Sequence, residues 1–162
     1  MRRAVATVAV VCLLGLLGTG VAGSAGSGHT PAQVVARFKA LTHTTLTVDR
    51  RSSYAGHYTA LGVPESISNI GRYGRFTIFV VTSGSEEDVQ SLLGDSHTGE
   101  LGTPGPSAIY WEHGKTMTGS AYWLAKKRYG ADVVLYWYGS KQKIEASFQR
   151  LHRPLRAIAA TG

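Results

Sequence analysis

Three short clusters in this sequence contain residue types that can do chemistry. Arg72 and Arg75 flank the second half of a Gly71-x-x-Gly74 turn, and Lys126-Lys127-Arg128 places three positive charges in a row. Guanidinium and ammonium groups bind the oxygens of phosphates and carboxylates. Asp95-Ser96-His97 contains the three residue types of a serine-hydrolase triad. The first two clusters indicate anion binding, and the third indicates hydrolysis.

The 71–74 turn can present backbone amides and arginine side chains to an anion. Phosphate-binding loops, however, follow a strand and open a helix, so that the helix dipole assists binding. This turn instead precedes a strand-like run over residues 75–82. We therefore predict a structural turn, and we keep Arg72 and Arg75 as candidate contacts for an anionic partner.

Aromatic residues surround the Lys126-Lys127-Arg128 cluster. Positive charge mixed with stacking surface is typical of proteins that bind single-stranded nucleic acid or other polyanions. A hairpin turn whose lysines only keep it solvated explains the same residues, and export argues against nucleic acid as a routine partner. The candidate anion-binding residues are Arg72, Arg75, Lys126, Lys127 and Arg128. The candidate stacking residues are Tyr73, Trp123 and Tyr129.

The triad-like tripeptide does not define an enzyme by itself. Sequence neighbours in one loop rarely point at one another, and the chain has no Gly-x-Ser-x-Gly elbow and no metal-type histidine pair. We predict no catalytic residue, no metal site and no cofactor. A small secreted hydrolase that uses the 95–106 loop remains the alternative.

The first residues have the pattern of a secretory signal. Met1-Arg2-Arg3 is basic, residues 4–17 form an uncharged apolar run, and small residues suited to cleavage near 22–25 follow. We expect a signal peptide over residues 1–25 and one globular domain over 26–162. An uncleaved N-terminal membrane anchor is the alternative. The only cysteine, Cys12, lies inside the apolar run, so the mature domain would contain none.

The net charge is positive, which is compatible with several kinds of anionic partner. The chain has 17 lysines and arginines against 10 acids, and without Arg2 and Arg3 the count is 15 against 10, a formal charge of +5. A basic exported domain is compatible with anionic surroundings such as envelope polymers or lipid headgroups. We therefore expect an exported, non-enzymatic binding or interaction domain of the cell envelope with an anionic partner.

Residue periodicity predicts the elements that position these clusters. Thr30-Pro31-Ala32-Gln33 is a helix start with a capping box, and Ser85 and Ser140 are N-caps of two further helices. Runs rich in β-branched and aromatic residues predict six strands, over 44–49, 53–61, 75–82, 108–112, 117–125 and 132–138. The predicted fold class is α+β, an antiparallel or mixed sheet of about six strands with helices packed on it.

The segments between these elements carry predictions of their own. Residues 62–74 are predicted as a loop, Gly114-Lys115 as a tight hairpin turn, and 126–130 as a basic turn. Pro154 is expected to bend or interrupt the last helix. In the aromatic pairs, alternation along a strand places one ring in the core and one outside. Outer rings that align across adjacent strands can form a stacking platform, whereas outer rings covered by helices are only core.

A short pattern occurs twice in the chain. Arg72-Tyr73-Gly74 and Arg128-Tyr129-Gly130 each lead into a strand that is closed by Gly-Ser and followed by a helix. The mature chain can thus be written as a leading helix plus two strand-strand-strand-helix units. Chance is the competing explanation, since arginine, tyrosine and glycine are ordinary turn residues. If the repeat is real, a binding site would lie in the space that the two Arg-Tyr-Gly turns enclose together.

Overall fold

The computed structural model describes residues 28–49, 56–64, 67–94, 109–115 and 118–162. In chain order the elements are α1 (Pro31–Thr42), β1 (Thr47–Val48), β2 (Tyr58–Gly62), α2 (Ile67–Tyr73), β3 (Arg75–Val81), α3 (Glu86–Leu93), β4 (Tyr110–Lys115), β5 (Ala121–Tyr129), β6 (Val133–Gly139) and α4 (Lys141–Ala159). The predicted signal peptide and the 95–106 loop lie outside the described residues.

The six strands form one antiparallel sheet in the order β1-β2-β3-β6-β5-β4. β3 and β6 lie at its centre, where Val80 pairs with Val133. Both strands are rich in β-branched and aromatic residues, and a strand that is apolar on both alternating faces needs cover on both sides of the sheet. The predicted α+β class with about six strands is confirmed.

Helices pack on both faces of the sheet, and successive residues of β3 point to different faces. Ile78 and Val80 point into a core built with α1 and α4, whereas Phe79 and Val81 point into a second core built with α3. We call these surfaces the α4 face and the α3 face. α3 has only eight residues, so it leaves part of the α3 face open among the described elements.

The helices begin where the sequence predicts side-chain caps. Thr30 accepts a hydrogen bond from the Gln33 amide, and the Gln33 side chain accepts one from the Thr30 amide. Ser85 and Ser140 each accept from the amide three residues further on. These bonds satisfy amides that a helix start otherwise leaves unpaired. α4 continues through Pro154, so the predicted interruption there is wrong.

The predicted 62–74 loop is wrong in its second half, where α2 forms. Asn69 and Gly71 are poor helix formers, so propensity does not predict a helix in this segment. Tertiary contacts stabilise it instead. The Tyr73 ring is buried in the core, and Arg150 of α4 donates to the Arg72 carbonyl at 3.0 Å, which satisfies a C-terminal carbonyl of α2.

Two predicted turns are also wrong, because both belong to strands. Gly114-Lys115 lies at the end of β4, and residues 126–129 lie in β5. Residues 130–132 make the turn into β6 instead. Three consecutive charged side chains fit inside a strand here because the sheet and its helices supply partners for them.

The two Arg-Tyr-Gly sequences lie at opposite ends of the sheet. Gly74 precedes β3 and Gly130 precedes β6, and because these strands are antiparallel the start of one adjoins the end of the other. A seven-residue strand separates the turns by about 20 Å. α3 and α4 also pack on opposite faces. The two units share an order of elements, but their turns enclose no common site.

Candidate functional site

The structure separates the two arginines of the first turn, although both are exposed. Arg72 lies near the end of α2, beside α4. Arg75 is the first residue of β3 and shares a face with Phe79, which places it on the α3 face. The two side chains therefore belong to different candidate surfaces.

Two of the three candidate cations in β5 form ion pairs on the α3 face. Lys126 is 7% exposed, pairs with Glu112 of β4 and donates to the Leu93 carbonyl of α3 at 3.3 Å. Arg128 forms a bidentate pair with Glu86 at 2.6 and 2.8 Å, and these hydrogen bonds lower the pKa of Glu86. Both cations connect α3 to the sheet. Anion binding by either residue stays a prediction that would require these pairs to open.

Lys127 projects onto the opposite face, where it lies beside the Tyr129 ring. Burial lowers the pKa of Lys127, and the nearby Arg156 charge lowers it further. The Tyr129 hydroxyl lies 3.0 Å from Nδ1 of His152. Burial raises the pKa of Tyr129, so its hydroxyl stays protonated. Burial also lowers the pKa of His152, with Lys127 and Arg156 adding to the effect.

This arrangement predicts that acid destabilises the protein through His152. Its pKa in the folded protein lies below the ordinary value of 6.5, so the unfolded chain binds the proton more readily. The stabilising contribution is therefore present above pH 6.5 and is lost as the pH falls through the folded-state pKa. Urea unfolding measured across this pH range should show that His152→Gln, which keeps an acceptor for Tyr129, loses less free energy of unfolding on acidification than the wild type does. Equal losses in the two proteins would exclude His152 as the cause.

The three candidate stacking residues differ in accessibility. Tyr73 and Tyr129 are buried in the core, so neither ring has a face open to a ligand in this structure. Trp123 is half-buried and packs edge-on against Trp111, with ring centroids 6.1 Å apart, and Lys141 lies over both rings. This cation–π cluster connects the start of α4 to the sheet.

A strip of exposed cations runs along helices α2 and α4. This basic strip consists of Arg72 on α2 and of Lys143, Arg150 and Arg153 on α4. The three α4 residues are seven and three positions apart, which places them on one side of the helix. None of the ion pairs among the described residues involves a strip residue. Sequence reasoning named only Arg72, because the strip appears only when α2 packs beside α4.

Charge is distributed unevenly between the two sides of the fold. Helices α1, α2 and α4 contain eight basic residues and one acid, Glu145, whereas all three charged residues of α3 are acids. Glu145 is two positions from Lys143 and therefore lies on another side of α4. The basic strip is consequently not neutralised by acids of its own helices.

Two shallow cavities follow the basic strip. One of 880 Å³ lies beside Arg72, Arg150 and Arg153, and one of 540 Å³ lies beside Lys143 and Arg150. Apolar side chains also line them, since Leu41 is 52% exposed in the first cavity and Ile70 is 38% exposed in the second. The strip thus combines exposed positive charge with exposed hydrocarbon.

A groove of 670 Å³ lies on the open part of the α3 face. Short side chains from three neighbouring strands, Thr47, Gly62 and Thr77, leave it open, and Arg75 stands beside them. Tyr122 of β5 and Tyr138 of β6 also line it. We call it the tyrosine groove. Its two tyrosines are the outer members of aromatic pairs, as strand alternation predicted for rings that face away from the α4 core.

Neighbouring residues determine the position of Tyr122 and the protonation state of Tyr138 in this groove. Tyr122 pairs directly with Gly114 of β4, and a Cβ at that glycine would lie 2.8 Å from the tyrosine ring. A glycine at position 114 therefore leaves room for the Tyr122 ring to lie across β4. Burial raises the pKa of Tyr138, with Tyr122 and Glu112 adding to the effect, so the Tyr138 hydroxyl remains a hydrogen-bond donor at neutral pH.

Within the described ranges, no three His, Cys, Asp or Glu side chains are grouped so as to hold a metal ion. None of the helices described combines the length and apolar character that a membrane span needs. Asp95-Ser96-His97 lies outside those ranges, so the hydrolase alternative stays a prediction.

The fold and its surfaces define a class of protein, an α+β domain with one antiparallel sheet, the basic strip along α2 and α4, and the open tyrosine groove. Comparison of the chain with known protein families, with curated proteins and with solved structures finds no match. Its function must therefore be argued from these surfaces.

Proposed function

We propose that this protein is an exported, non-enzymatic binding module of the cell envelope that docks on a phosphate-bearing partner through its basic strip. The partner chemistry is a dense array of phosphates, as in an anionic envelope polymer or a layer of acidic lipid headgroups. Export is part of the proposal and rests on the N-terminal sequence. N-terminal sequencing of the protein recovered outside the cell would test cleavage near residues 22–25.

One observation carries the proposal: four exposed cations lie along α2 and α4 without an ion-pair partner among the described residues. In a surface that only needs solubility, charges of both signs are interspersed. Here the acids of α3 are on the other side of the sheet. Phosphate oxygens accept well from arginine, and three of the four strip cations are arginines.

Removing two strip charges should weaken binding strongly. We expect Lys143→Gln combined with Arg153→Gln to reduce affinity for vesicles containing an anionic phospholipid about 10- to 30-fold, since each charge contributes about 1 kcal/mol near such a surface. Neither side chain has a structural partner among the described contacts, so the fold should be unaffected. Co-sedimentation at several salt concentrations would measure the effect, and added salt should weaken wild-type binding.

A matched control removes the same charge elsewhere. Lys39→Gln combined with Lys115→Gln changes two exposed lysines outside the basic strip and should leave affinity within about twofold. A parallel titration with soluble inorganic polyphosphate distinguishes a polymer from a lipid partner. Absence of binding to both probes at low salt, or equal losses in the two double variants, would overturn the proposal.

A further inference from the structure

The tyrosine groove carries features of a small-molecule site. Its volume of 670 Å³ lies within the range of about 300–1,000 Å³ that ligand sites occupy. It is on the α3 face, whereas α4, which carries most of the strip, packs on the other face. None of the four strip residues lines the groove, although Arg75 and Tyr138 also line the 540 Å³ cavity beside Lys143 and Arg150.

Three kinds of group converge in this groove. Arg75 is exposed and enters none of the ion pairs among the described residues. Tyr138 pairs with Arg75 across β3 and β6, so a ring and a guanidinium stand side by side on one face. Thr47 and Thr77 add hydroxyl groups. The set offers a positive charge, an aromatic surface and hydroxyl groups that both donate and accept.

We propose that the tyrosine groove binds an acidic sugar, with the sugar carboxylate on Arg75 and the sugar ring against Tyr138 and Tyr122. A carboxylate matches the guanidinium fork of arginine. The C–H face of a pyranose packs on aromatic rings, and its hydroxyls need both donors and acceptors. A bare anion would use Arg75 and leave the rings and threonines without a role.

The test is a titration with sodium glucuronate, followed by the NMR shifts of the β3 amides and of the Tyr122 and Tyr138 rings. We expect saturable shifts at these signals with glucuronate, and at least tenfold weaker binding of glucose, which lacks the carboxylate. Inorganic phosphate is the second comparison. Equal binding of glucose and glucuronate, or phosphate shifting the same signals as tightly as glucuronate, would overturn the proposal.

Two variants separate the parts of the site. Arg75→Gln changes an exposed side chain and should weaken glucuronate binding at least tenfold. Tyr138→Leu, which removes the ring, should weaken it by a similar factor, whereas Tyr138→Phe, which keeps the ring, should retain most of the binding. Wild-type affinity in Arg75→Gln, or equal effects of the two Tyr138 variants, would contradict the assignment.

The strip variant keeps this inference distinct from the proposed function. Lys143→Gln combined with Arg153→Gln should bind glucuronate as the wild type does, because neither residue lines the tyrosine groove. Loss of glucuronate binding in that double variant would show that the sugar binds at the strip and would overturn the groove assignment.

Discussion

Replacing Asp132 with Ala should lower the free energy of unfolding by about 3–5 kcal/mol, because it leaves the backbone amide and Nδ1 of the buried His29 without their acceptor, and each such group costs about 1–3 kcal/mol. Asp132 is 4% exposed and accepts from the backbone amide of His29 and, at 3.0 Å, from its Nδ1. Nε2 of His29 lies 2.9 Å from the Ile158 carbonyl. The contact joins the residues before α1 to the start of β6 and the end of α4.

Urea unfolding of three proteins would measure this effect. Asp132→Asn, which keeps the volume and one acceptor oxygen, should lose less free energy of unfolding than Asp132→Ala. Glu87→Ala removes an exposed acid from α3 and should stay within about 0.5 kcal/mol of the wild type. If Asp132→Ala lost no more stability than Glu87→Ala, the buried contact would have no net stabilising role.

Replacing Trp137 with Ala should cost about 3–5 kcal/mol, since a fully buried aromatic side chain leaves a cavity that the core can fill only in part. Trp137 is 1% exposed and stacks on Phe148 with ring centroids 5.7 Å apart. Its Nε1 donates to the Tyr73 carbonyl at 2.9 Å. The variant would therefore also leave that buried carbonyl without a donor.

Trp137→Phe separates packing from hydrogen bonding. Phenylalanine keeps much of the volume but has no donor, so we expect a loss of about 1–3 kcal/mol, smaller than that of the alanine variant. The same indole sets the residue type at the turn, because a Cβ at Gly74 would lie 3.1 Å from Nε1 and the glycine has φ +72°. Equal losses in the two variants would mean that cavity formation contributes little.

Local patterns predicted the parts of this fold that short-range physics controls. The caps at Thr30, Ser85 and Ser140 form as expected because the side chain and the amides it serves are three residues apart. β3 has apolar residues on both alternating faces, the pattern of a strand that is covered on both sides, and it lies at the centre of the sheet. Strand alternation also holds in β6, since Trp137 lies in the α4 core and its neighbour Tyr138 lines the tyrosine groove.

Features that depend on distant partners could not be predicted in this way. α2 forms in a segment of poor helix formers because Tyr73 is buried and Arg150 donates to the last turn. Lys126 was expected in a solvated turn, yet it lies inside β5 because Glu112 and the end of α3 supply its partners. Neither partner is detectable from a window around the residue itself.

The sequence by itself determined the sign of the charge, the alternation of the strands and the helix starts, since these depend on composition and on neighbours within a few residues. Only the tertiary structure decided which cations remain available. Because β3 and β6 pair antiparallel, the two Arg-Tyr-Gly turns lie at opposite ends of the sheet. Acids of α3 and β4 engaged Arg128 and Lys126, and α2 packing beside α4 gathered the exposed cations into one strip.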